Sequence, residues 1–267
     1  MIYCVHYPSG GFGHFINAIL TLRGKEFDRP KKNLEFSHNG DSHALDLVVP
    51  KYQGGWWPGG IEFLDNKNYC VLIDNGIHNE AHNKFKSTFP DSKTIKICYS
   101  DYSWPVVART VIEKARGSTI EKQLPVDNWS TDNPWAQREK YFLFLRDHTL
   151  RHAWRSVDEN DIYIDDLYVD YEEFVNTVNS VAKIEWCEDL WNQWRVANAK
   201  YIDPVVTARK IIDYASVGWS YNLSDITDVW TQAVIYYYIW LAFNIEVPHN
   251  DFADFFVNTD QIRDLIA

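Results

Sequence analysis

The sequence predicts an α/β fold, a parallel sheet followed by a helical C-terminal half, with residues 1–267 forming one domain. Three observations carry this expectation. Ile2 to Tyr7 is an apolar run of strand length that passes through a Gly-rich turn straight into a segment of helical period. Two further apolar runs, Tyr69 to Asp74 and Thr94 to Tyr99, each precede a turn or a helix, the alternation that builds parallel sheets. After residue 185 strand patterns stop, and 188–201, 204–216, 225–243 and 251–266 all read as helices, separated by Pro204, Gly218 and Pro248.

In chain order, the first strand ends at Pro8-Ser9-Gly10-Gly11, and from His14 the apolar positions Phe15, Ile16, Ile19, Leu20 and Leu22 recur with helical spacing up to Gly24. Residues 25–60 are polar and turn-rich, with one short strand around Leu45 to Val49. A helix is expected from Ser103 to Arg116, with Pro105 in its first turn, where the missing N–H costs little. Another amphipathic segment covers Trp135 to Trp154. Ile162 to Tyr168 is strand-like and Tyr171 to Val181 helical. These segments place a sheet-containing core at 1–185 and a helical part at 186–267.

Composition narrows the function. Hydrophobic residues make up 46% of the chain and charged residues 24%, ordinary for a globular protein. Aromatics reach 16%, with 12 Trp, a large rigid apolar area that core packing accounts for. The formal net charge of -11 opposes general nucleic-acid binding, which needs a basic face to displace counterions. A small anionic ligand remains compatible, because the field inside a pocket can oppose the global charge. Cys4, Cys70, Cys98 and Cys187 have no C-x-x-C spacing, and three lie in apolar strand-like runs. They read as reduced, buried thiols, with neither zinc nor a disulfide framework. No signal-peptide pattern opens the chain, and the apolar run at Val234 to Phe243 is too short and too Tyr-rich for a membrane span. A cytoplasmic protein with no membrane partner is expected.

The strongest local signal is Tyr7-Pro8-Ser9-Gly10-Gly11-Phe12-Gly13-His14-Phe15. Three glycines between a strand and a helix let the backbone turn tightly with several N–H groups pointing inward, and the helix adds its positive end. Together they form a cradle for phosphate or sulfate oxygens. Ser9 could donate its hydroxyl to the anion or cap the turn; His14 could donate to a phosphate or be a polar first-turn residue. No G-x-x-x-x-G-K-[ST] is present and the loop has no Lys, which speaks against an ATPase or GTPase. The second strand leads into Asn75-Gly76-Ile77-His78-Asn79-Glu80. Ligands of open α/β sheets bind beyond the carboxyl ends of the strands, so Asp74, His78 and Glu80 would share an edge with the Gly-rich turn. His78 there is either a general base or a solvated loop histidine. The third strand delivers Ser100, Asp101 and Tyr102 to that edge. Arg109, in the following helix, either reaches a second anionic group or lies on the surface.

With these segments placed, the order resembles that of sulfotransferases, in which a P-loop-like, three-layer parallel sheet binds 3'-phosphoadenosine 5'-phosphosulfate. Pro8 to Phe15 resembles the family's phosphosulfate loop, His78 holds the place of its catalytic histidine, and Lys96 to Val111 resembles the strand–helix unit that binds the 3'-phosphate through Ser and Arg. Tyr171-Glu172-Glu173-Phe174 is similar to the family's later strand–helix pair. The likeness spans roughly residues 1–200 by order of elements. It implies that Ser9, Gly10, Gly11, Phe12, Gly13, His14, Ser100 and Arg109 bind the donor. It further implies that His78 takes the proton of a hydroxyl on a small molecule or glycan; no metal-binding cluster is visible in the sequence. The chain departs from the pattern in lacking the loop Lys and in having Tyr99-Ser100 where a 3'-phosphate Arg is expected. Two alternatives stay open. Ser9 to His14 also resembles the Gly-rich loop of some nucleotide-sugar glycosyltransferases, though these usually carry two Rossmann-like domains. A non-catalytic binding module that keeps the fold could use Trp56-Trp57 and Trp186 to Trp194 as contact surfaces.

Overall fold

The structure, a computed structural model, describes residues 2–8, 10–27, 54–56, 69–74, 80–115, 134–149, 161–223, 226–245 and 262–264. The chain divides into two compact units: residues 1–100 with 154–199, and residues 101–153 with 200–267.

The first unit holds a five-stranded, all-parallel sheet. Its strands are β1 (Ile2–Tyr7), β2 (Gly54–Trp56), β3 (Tyr69–Asp74), β4 (Lys93–Cys98) and β5 (Asp161–Tyr163), in the order β2-β3-β1-β4-β5. The first strand is therefore central, flanked by β3 on one side and β4 on the other. Such a strand is buried on both faces, which is why it reads as a nearly continuous apolar run. Helix α1 (Gly13–Arg23) covers the face carrying Tyr3, Val5 and Tyr7, and α2 (Glu80–Thr88) covers the opposite face, where His82 stacks on His6. Side chains of a strand alternate between faces, so the two helices read alternate residues of β1.

Helix α1 is buried on almost every side, including Phe15, Ile16, Ile19 and Leu20 at 0% exposure. A helix apolar all round needs cover on its outer side as well as against the sheet. That cover comes from α6 (Tyr171–Val181) and α7 (Glu188–Ala197): the Phe15 ring lies 5.5 Å from Phe174 and stacks on Trp194 at 4.2 Å with a 5° interplanar angle. Inside this shell the buried Asn17 amide donates to the Cys70 carbonyl of β3 at 3.0 Å, pinning helix to sheet with a polar contact. The four cysteines are free and buried.

The second unit carries the helices α3 (Trp104–Ala115), α4 (Pro134–Thr149), most of α8 (Ala199–Ser216) and α9 (Val229–Phe243). Residues Trp230 to Ile239 of α9 are buried on all sides, and the Trp230 ring meets Tyr141 of α4 edge-on at 5.0 Å. Asp228 caps α9 by accepting from the Thr231 amide at 2.8 Å. No helix among the described residues is long and apolar enough to cross a membrane.

The division differs from a boundary at residue 185. The chain leaves the sheet after Ser100 and returns at residue 154, and α7 stays with the sheet because Trp194 packs on Phe12 and Phe15. Two elements also differ from their expectations. Ile162 to Tyr168 is strand only as far as Tyr163, then forms α5 (Ile164–Tyr168). The buried Ile164, Leu167 and Tyr168 have i, i+3, i+4 spacing, and Asp165 and Asp166 occupy the first turn, where the helix dipole favours acid. Pro204 does not divide two helices but sits inside α8; the break comes at Asn198, which ends α7 by donating its side-chain amide to the Trp194 carbonyl at 2.8 Å. As the sixth residue of α8, Pro204 lies past the first turn and forfeits one helical hydrogen bond, a cost that burial of its ring helps offset. The strand expected around Leu45 to Val49 lies outside the described residues, while Gly54–Trp56 pairs with β3.

Candidate functional site

The connection from β1 to α1 lies at the carboxyl end of the central strand, between neighbours reached by crossovers in opposite directions. In open α/β sheets this switch point is where a crevice forms beyond the strand ends. Tyr7 stands in register with Asp74, so β1 and β3 end level, and Ser100 follows the end of β4 on the other side of β1. The sheet thus brings Gly10, Gly11, Phe12, Gly13, His14 and Ser100 to one edge, as expected. Ser9 and His78 lie outside the described residues.

Two of the turn's glycines are required by packing. A Cβ on Gly13 would stand 2.1 Å from Cδ1 of Tyr7, and one on Gly11 would stand 2.8 Å from the Pro8 ring and carbonyl. Gly10 has φ 84°, a conformation that glycine adopts without a steric penalty. Phe12 is also left-handed, at φ 59°, costing about 1 kcal/mol for a non-glycine residue. Its ring is held edge-on to Trp194 at 5.1 Å and is 4% exposed, so apolar burial offsets that strain.

The hydrogen bonds of the turn decide which amides can grip a ligand. The Gly11 amide donates to the Pro8 carbonyl at 2.7 Å, and the Phe15 and Ile16 amides both donate to the Phe12 carbonyl, at 2.9 and 3.2 Å. Gly11 therefore does not supply a donor, contrary to the simplest reading of the Gly-Gly pair. Phe12 is the residue before the helix and makes no side-chain cap, and the first-turn amides of Gly13 and His14 lie at the positive end of α1. The His14 Nε2 lies 2.9 Å from the Tyr7 hydroxyl, so the ring beneath Gly13 also orients the imidazole.

Ser100 is engaged otherwise. Its hydroxyl donates to Asp165, 3.0 Å from each carboxylate oxygen. Beside it, burial pushes the Asp166 carboxyl up to about 6, reinforced by the charges of Asp165 and Glu173. This flank of the edge is acidic. In the second unit, Arg109 lies 3.8 Å from Asp228 and its guanidinium stands over the Trp230 ring at 5.7 Å, so the cation supports the carboxylate that caps α9. Among the described residues, no three His, Cys, Asp or Glu side chains converge to hold a metal ion.

A basic group that the sequence did not single out gathers on the other face of the sheet: His6, His82, Lys86 and Lys96. Part of the signal was there. His6 is a polar residue within an apolar strand, and His82 and Lys86 are four apart on one helix, hence on one side of it. Bringing them to Lys96 takes the β1–β4 register, His6 opposite Lys96, which no local pattern encodes.

Compared with family models, curated proteins and solved structures, the chain matches none.

Gly13→Ala gains helix propensity of about 1 kcal/mol, yet forces a methyl into the Tyr7 ring. We expect a net loss of about 2 kcal/mol or more in denaturant titrations. With Tyr7→Ala already in place most of that loss disappears, giving a coupling of about 1–3 kcal/mol between the two sites; additive effects would contradict the packing.

The folded chain holds the Asp166 proton more tightly than the unfolded chain. Its contribution to stability is therefore full below the unfolded value of 3.8 and is lost as pH rises through about 6. Asp166→Asn is expected to raise stability near neutral pH by about 1 kcal/mol, after allowance for solvent screening of this half-buried group. The gain should vanish near pH 4, as read by thermal melts at both pH values.

Proposed function

We propose that the chain is a sulfotransferase-like, nucleotide-dependent transferase. It moves a sulfuryl group from a 3'-phosphoadenosine 5'-phosphosulfate-type donor to a hydroxyl acceptor, on a three-layer sheet of P-loop-like type. One observation carries the reading. A Gly-rich turn at the carboxyl end of the central strand of an all-parallel sheet opens a helix whose N-cap residue, Phe12, makes no side-chain cap. The positive end of an 11-residue helix favours a bound oxyanion without any lysine in the loop. Sulfuryl transfer, among the reactions of bound oxyanions, rests on the resemblance in the order of elements from Pro8 to Phe174.

The turn fits the phosphosulfate end of such a donor, because its donors are main-chain and rigidly placed by Tyr7 and Phe12. The assigned 3'-phosphate end fits less well. Ser100 reaches a phosphate only by giving up Asp165, and the neighbouring carboxylates oppose a second anion unless protonated. In this reading the amides of Gly13 and His14 hold the transferring group in line with the acceptor. His78 takes the proton of the acceptor hydroxyl, a role it holds by resemblance alone. Positioning and charge stabilisation dominate, as in phosphoryl transfer.

The acidic flank favours a second reading, a non-catalytic module that grips one oxyanion only. For a nucleotide-sugar glycosyltransferase a second parallel sheet would be expected, and the described residues form one.

A thermal-shift panel separates these readings. Adenosine 3',5'-bisphosphate at 100 to 1,000 times its dissociation constant should stabilise the chain by about 3–4 kcal/mol, with nucleoside diphosphates and nucleotide sugars well below that. His78→Ala should keep the binding and lower transfer by about a hundredfold or more. Stabilisation by nucleotide sugars alone, or full transfer activity in His78→Ala, would overturn the proposal.

A further inference from the structure

Beneath α2, on the sheet face away from the Gly-rich turn's helix, lies a cavity of about 670 Å³ lined by His6, His82, Lys86, Thr94, Lys96 and Asp161. Every lining group belongs to the sheet-bearing unit. From this geometry we infer a second binding site, for a small organic molecule carrying a dianionic oxyanion, a phosphate monoester.

The charge balance points to an anion. Two lysines, Lys86 and Lys96, face one aspartate here, in a chain whose formal net charge is -11, while Lys93 turns to the other face, over the Tyr3 ring. Lys96 meets Asp161 only at 3.9 Å, a loose pair that leaves the ammonium able to turn toward a ligand. Among the described residues Lys86 has no carboxylate at ion-pair distance; its ammonium donates to the Ser92 carbonyl at 2.7 Å, a neutral acceptor. A bound dianion would supply the charge-assisted partner that both ammonium groups can use.

The two imidazoles add a wall with built-in geometry. His6 and His82 stack with ring centroids 4.6 Å apart and planes 7° from parallel, and the His82 Nε2 lies 3.2 Å from the Thr94 hydroxyl. Stacked imidazoles this close resist protonation together, since like charges would face each other across the gap. The His82 imidazole is indeed held below its ordinary value, by burial first and then by Lys86 and Lys96. An anion between them and the lysines reverses the balance and lets a proton bind. The volume exceeds what a bare tetrahedral anion fills and falls in the range of small-molecule sites, roughly 300–1,000 Å³, so the oxyanion should carry an organic body.

This site is separate from the turn, and its test reads His82 directly. Sulfate, inorganic phosphate and glycerol 3-phosphate are titrated into the full chain while the His82 ring protons are followed by NMR. All three should shift them, the ester binding several-fold more tightly than sulfate. Sulfate keeps its charge over the range used, so its affinity should rise as pH falls from about 8 to about 5.5, with His82 gaining a proton in the bound state; the other groups that face it are His6, Lys86, Lys96 and Asp161. The Lys86→Gln, Lys96→Gln double variant should weaken sulfate binding by about tenfold or more. His82 signals that do not respond to saturating ligand, an ester weaker than sulfate, or a folded double variant with affinity within about twofold of the parent would overturn the inference. The NMR titration of the unaltered chain decides the matter even if the double variant does not fold.

Discussion

The Tyr7 ring lies directly under Gly13, and the rest of the functional edge depends on that contact. It ends the central strand, sets where α1 begins, and orients His14 through the Tyr7 hydroxyl. From above, Phe12 is drawn out of the usual backbone region and held there by Trp194, which also stacks on Phe15. The turn is thus gripped between an aromatic floor and an aromatic roof, and its shape does not wait for a ligand. A turn held this rigidly would lose little conformational entropy on binding an anion, which is what the proposed function asks of it.

Electrostatics divide the first unit into contrasting surfaces. The flank around Ser100 gathers Asp165, Asp166 and Glu173, and one of these carboxyls is pushed up to about 6. The face beneath α2 gathers Lys86, Lys96 and two imidazoles around a single aspartate. In a chain of strongly negative net charge, the second concentration marks where a small anion gains most from the local field. The two regions are linked through β1, where Tyr7 and His6 are adjacent residues pointing to opposite faces.

Much of the fold was legible because strand and helix periods are local. β3 and α6 follow the apolar runs to the residue, and α1, β4 and α3 do so within one residue at either end. What the sequence concealed depends on partners far along the chain. Tyr163-Ile164 turns from strand to helix because Ile164, Leu167 and Tyr168 are buried together, and a short alternating run does not reveal which period will prevail. Pro204 looks like a boundary and is not one, since Asn198 had already ended the preceding helix. At the edge, the Gly-Gly-x-Gly pattern announced a tight turn. It did not tell that Gly11 donates its own amide to Pro8 or that Ser100 would be claimed by Asp165. His6 and Lys96 met only through strand register.

The measurement that bears most directly on the central claim is the response of individual main-chain amides to a nucleotide. In ¹⁵N–¹H spectra of the full chain, adenosine 3',5'-bisphosphate should move the Gly13 and His14 amide protons downfield, as charge-assisted hydrogen bonds form at the start of α1, while the Gly11 amide, already bonded to Pro8, moves little. Binding of the same nucleotide with the Gly13 and His14 signals unmoved would show that the turn is a packing device alone.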